Sequence, residues 1–118
     1  MAPFVAALME ASDFAALHRT IDVQLRAVGG FGELAIYDIA QRIGWYRRLE
    51  PAEIYLHRGT RDGARLLVPG LAGATLSPAR LPPEFHALTP PQLEDVLCIY
   101  KAQIGGIAGL RRSPTPPR

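Results

Sequence analysis

Two stretches of this sequence carry residue types that can do chemistry. The first is Gly30-Phe31-Gly32, set between two amphipathic runs. Glycine reaches positive φ and admits close backbone approach. The N–H groups that open a following helix are ready anion donors, so such a turn either holds a phosphate through its main chain or turns a corner in a helical core. The second stretch runs from Tyr55 to Arg65. It brings Tyr55 and His57 ahead of Arg58, Arg61 and Arg65, the one basic cluster inside the folded part. Asp38, Tyr55 and His57 are the polar groups from which acid–base chemistry could be assembled. Each also has a plain structural role available: Asp38 can pair with Arg42 one helical turn on, and His57 can be a satisfied core histidine.

Other chemistries lack their residues. His18, His57 and His86 show no metal-ligand spacing, and neither a phosphate-loop nor a nucleophile-elbow pattern occurs, so no metal or cofactor is expected. Cys98 is the single cysteine, which excludes an intrachain disulfide and a cysteine-based zinc site. Its apolar helical neighbourhood predicts a buried, inert thiol. Glu94-Asp95 reads as a dipole-matching pair in the first turn of the last helix.

The elements that must position these residues follow from composition and period. A chain of 118 residues can bury one core without staples. The formal charge is +2, but Arg111, Arg112 and Arg118 lie in a tail without acids, and what precedes it is one charge on the acidic side of neutral. That weakens a general electrostatic attraction to nucleic acid, which needs several phosphates neutralised together. The run Pro3 to Met9 has no basic flank and is too short to span a bilayer. No apolar run elsewhere reaches about 18 residues, so a cytoplasmic protein without membrane partners is expected.

Phe14, Leu17, Ile21, Leu25 and Val28 form the stripe of a helix from about Asp13 to Val28, capped by Ser12 and ended by Gly29-Gly30. Ile36, Ile39, Ala40, Ile43 and Tyr46 repeat the spacing in a central helix from Glu33 to about Leu49. Leu34, Tyr37 and Trp45 predict that it is buried on more than one side. Arg42, Arg47 and Arg48 suit its C-terminal dipole, and Glu50-Pro51 ends it. Residues 52–57 fit a short extended piece or one helical turn. Thr60 then caps a brief helix from Arg61 to Leu67, and a proline- and glycine-rich connector, apolar enough to pack over the core, runs to Leu88. Thr89-Pro90-Pro91-Gln92 is a capping box opening a helix that buries Leu93, Val96, Leu97, Tyr100 and Ile104 and closes at Gly105-Gly106.

The order amphipathic helix, Gly30-Phe31-Gly32, apolar helix, proline, then Ile54-Tyr55-Leu56-His57 before an Arg-bearing helix resembles the helix-hairpin-helix DNA glycosylase superfamily over about Leu25 to Leu67. The resemblance implies a hairpin that binds a DNA phosphate, with His57 at the family's histidine. Tyr55 stands where that family carries its catalytic aspartate, no hairpin lysine is present, and Ile36 replaces the usual small residue. The resemblance therefore implies a non-catalytic unit, which also lacks a second lobe for an extruded base.

The expectation is a mostly α, small single-domain orthogonal bundle over residues 1–110 with a central helix-hairpin-helix, followed by a disordered basic tail over 111–118. Its expected function is DNA binding through Gly30, Phe31, Gly32, Arg58, Arg61 and Arg65. The alternative is a protein-interaction or accessory subunit, or a homodimer, that uses an apolar surface around Trp45, Tyr46 and Leu49. Glu33, in the first turn of the central helix, is expected to cap the hairpin from within.

Overall fold

The computed structural model describes residues 3–112, with side chains to residue 106. The chain is mostly α, with one two-stranded sheet among the described residues. It divides into two compact units, Met1–Ala52 and Glu53–Arg118.

The first unit holds helices α1 (Pro3–Glu10), α2 (Phe14–Val28) and α3 (Glu33–Arg47). Asp13, not Ser12, caps α2, and its carboxylate accepts from the Ala16 N–H at 2.8 Å. The residue directly before the first helical position is the one whose side chain reaches those N–H groups, and Ser12 stands one place too early. Gly29 closes α2 at φ 87° and donates its N–H to the Leu25 carbonyl. Arg48, at φ 59°, reverses the chain after α3, two residues ahead of Glu50-Pro51.

Phe14, Leu17 and Ile21 are buried on α2, and Ile36, Tyr37, Ala40 and Gly44 on α3. The Phe14 ring meets Tyr37 edge-on, at 5.9 Å and 66°, and lies over Gly44, where a Cβ would stand 3.3 Å from the Phe14 ring. The buried stripe of α3 thus runs through Ile36, Tyr37 and Ala40 and ends on a residue without a side chain. That rotates it away from the expected ridge: Ile39 and Ile43 are half-buried, while Leu34, Trp45 and Tyr46 are exposed. Contrary to the sequence expectation, α3 is buried on one side only. Arg47 is not a solvated dipole partner either. Its Nη1 donates to the carbonyls of Leu8 at 2.8 Å and Ala11 at 2.7 Å, closing the C-terminal end of α1.

In the second unit, β1 (Ile54–Tyr55) pairs antiparallel with β2 (Thr75–Leu76), Ile54 opposite Leu76. Helix α4 (Arg58–Leu67) begins three residues earlier than expected, with His57 at its N-cap and Thr60 inside it. The connector carries two single-turn 3-10 helices, Pro78–Arg80 and Pro83–Phe85. It does pack over the core, burying Leu71, Leu76 and Leu81 together with Ile54, Leu56, Leu93, Leu97 and Ile104.

The capping box at Thr89 opens α5 (Pro90–Ile99), with both reciprocal bonds present. Thr89→Ala is expected to cost about 1 kcal/mol, read as a lowered urea midpoint that Thr89→Ser restores. The last helical run is broken where one helix was expected. Helix α5 stops at Ile99, Tyr100 turns the chain, and α6 (Lys101–Arg112) passes through Gly105-Gly106. The turn lets Ile104 reach the same core as Leu93 and Leu97 while Tyr100 stays exposed. Arg111 and Arg112 lie in α6. The remainder of the expected tail, 113–118, falls outside the described residues. No described helix is long and apolar enough to cross a membrane.

Candidate functional site

The hairpin between α2 and α3 has the backbone its glycines foreshadow. Gly29 and Gly30 take φ 87° and 83°, a region that costs a residue with a Cβ about 1–2 kcal/mol. Gly32 is the N-cap of α3 and brings no side-chain cap. The first intrahelical bond runs from the Ile36 N–H to the Gly32 carbonyl at 3.1 Å. The N–H groups of Glu33, Leu34 and Ala35 precede it, at the positive end of the helix.

The expectation that Glu33 would cap this turn does not hold. Glu33 is the first helical residue, whereas a reciprocal carboxylate must stand at the third to reach back. Its side chain is exposed, as are Gly29 to Gly32. Around the open N–H groups, Val28, Phe31 and Leu34 are also exposed.

The arginine cluster belongs to the second unit and is smaller than its sequence implies. Arg61 is committed internally: Nη1 donates to the Gly73 carbonyl at 2.9 Å and Nη2 to the Leu56 carbonyl at 3.1 Å, tying the end of β1 to the loop before β2. Arg58 and Arg65 are exposed on α4, with Asp62 between them in sequence and held 3.7 Å from Lys101 Nζ. Reversing the charge of Arg61 therefore tests the fold of this loop, while Arg58 and Arg65 test binding.

The polar constellation Asp38, Tyr55 and His57 is not one site within either unit. Asp38 lies in the first unit, exposed, and forms no ion pair with Arg42 among the described residues. Two solvated side chains gain little by pairing on a helix surface. In the second unit His57 turns inward instead. Its Nδ1 donates to Glu94 Oε1 at 2.9 Å, and both side chains are about 11% exposed. Thr60 Oγ1 donates to the Glu94 carbonyl at 3.3 Å, a second link from α4 to α5.

Glu94 is not a dipole partner in the first turn, as its sequence position suggests, but the fifth residue of α5 and buried. The signal was present. Once Thr89 fixes the start of the helix, Glu94 falls one residue after Leu93 and three before Leu97, inside the apolar stripe. A buried acid there requires a partner, and His57 supplies it.

Cys98 is exposed, not buried, and its Sγ lies against Gly59. The described residues include no group of three His, Cys, Asp or Glu able to hold a metal ion. The His57–Glu94 arrangement fixes the start of α4 on α5, and the start of α3 at the hairpin carries no side-chain cap. No family model, curated protein or solved structure matches this chain.

Proposed function

We infer that the first unit is a non-catalytic, helix-hairpin-helix-like DNA-binding module that holds the backbone of duplex DNA through main-chain N–H groups. The observation that carries this reading is the uncapped start of α3: Gly32 lends no side chain and Glu33 does not replace one. An oxygen of a phosphate is the natural partner for N–H groups at the positive end of a helix. Gly30 and Gly32 leave open space for its approach, with nothing within 4 Å of a Cβ at either.

Charge sets the strength of such binding. The first unit carries five arginines against six carboxylates, so non-specific attraction is small. Binding is expected to appear at low salt with a shallow slope, log K falling by about 0.9 per phosphate contacted. Fluorescence anisotropy of a labelled duplex tests this. Glu33→Gln is expected to tighten binding by removing like charge beside the phosphate, and Gly30→Ala to weaken it through the strained φ. Arg58→Glu with Arg65→Glu should reduce the salt slope if α4 contributes. Equal affinities for the wild type, Glu33→Gln and Gly30→Ala would count against the hairpin.

A second reading rests on a separate observation. Trp45 is 63% and Tyr46 83% exposed at the end of α3, where aromatic side chains commonly anchor protein partners. A homodimer that dissociates on Trp45→Lys in sedimentation would support this reading over DNA binding.

A further inference from the structure

A groove of about 470 Å3 lies between α1 and α2 in the first unit, within the range of roughly 300–1,000 Å3 found for small-ligand sites. Phe4 and Ala7 of α1 and Val23 of α2 give it apolar walls, and Arg19, Thr20 and Gln24 give it a polar edge. Helix α1 is fastened at its C-terminal end by Arg47, but none of its eight residues is fully buried. A helix of that length does not persist in water without packing, so an occupant covering Phe4 and Ala7 would gain apolar burial and steady the helix.

The polar edge specifies the sign of the occupant. Thr20 Oγ1 already donates to the Ala16 carbonyl at 3.0 Å, which leaves Arg19 and Gln24 as the side-chain donors. Arg19 is exposed, makes no ion pair or hydrogen bond among the described residues, and is the one charged side chain among the described residues that line the groove. No acid is among the described residues that line it.

We propose that this groove binds a single-chain aliphatic carboxylate, with the carboxylate on Arg19 and the chain along Phe4, Ala7 and Val23. The site shares no residue with the hairpin and stands or falls independently of DNA binding.

The test titrates the isotopically labelled full chain with sodium decanoate below its aggregation concentration. Saturable shifts are expected for the amide signals of Phe4, Ala7, Thr20, Val23 and Gln24, together with slower hydrogen exchange in α1. Arg19→Glu is expected to weaken binding by about tenfold or more, equivalent to about 1.4 kcal/mol, while Arg19→Lys retains most of it. Because Arg19 is exposed and unpaired, an unchanged circular dichroism spectrum verifies that the variant folds. Shifts that do not saturate, equal binding by decyltrimethylammonium, or unchanged affinity in Arg19→Glu would overturn the proposal.

Discussion

Replacing Gly63 with alanine is expected to destabilise the second unit by about 3 kcal/mol, at the upper end of overpacking costs. Gly63 lies on the face of α4 that meets α5, and a Cβ there would collide with the carbonyl oxygen of Leu97. The clash is with backbone of α5, so no rotamer change relieves it; α4 and α5 must separate. Separation would open the core around Ala64, Leu93 and Leu97, all fully buried. Urea unfolding of the full chain measures the effect as a lowered midpoint. A loss below about 0.5 kcal/mol, the range of surface substitutions, would mean that the helices do not approach as closely as described.

Removing the carboxylate of Glu94 is expected to cost a similar amount. Glu94→Ala leaves the buried His57 Nδ1 without its acceptor, and breaking a buried pair by deleting one partner costs about 3–5 kcal/mol when both groups are charged. If the imidazole is neutral, the bond is still one to a charged acceptor, contributing about 1.5–3 kcal/mol. About 3 kcal/mol spans both cases. Glu94→Gln keeps an acceptor and should lose less. His57→Leu combined with Glu94→Leu should lose far less than the sum of the same two substitutions made singly, because neither polar group is then left unpaired. Additive losses in that double-mutant cycle would show that the two side chains are not coupled.

These two positions depend on contacts that local sequence does not encode. Helices α2 and α3, the positive-φ glycines between them and the capping box of α5 were legible because each depends on neighbours within one or two turns. The packing of α4 was not. It meets α5 through Gly59 and Gly63, residues that leave no trace in a hydrophobic pattern although their lack of a side chain sets the approach. The same holds for the buried stripe of α3, which passes through Ala40 and Gly44 rather than Ile43 and Tyr46.

The site was legible in part for similar reasons. The hairpin glycines are identifiable from local spacing; Gly29 and Gly30 take positive φ, whereas Gly32 is extended at φ −84°. Arg61 looked like a surface cation because the carbonyls it serves, Leu56 and Gly73, carry no signature in sequence. His57 drew notice without its partner, since Glu94 lies 37 residues away and only the fold brings it to 2.9 Å. The charge of Glu33 suits a capping role, but its place at the first helical position denies it the reach.

The central claim is that the N–H groups at the start of α3 take a DNA phosphate, and backbone amide chemical shifts test it at those atoms. Titrating the isotopically labelled full chain with a short duplex at low salt should shift the signals of Gly30 to Ala35 saturably, with the largest changes at Glu33, Leu34 and Ala35. Saturable shifts that leave those amides unmoved, or no shift at any duplex concentration, would contradict it.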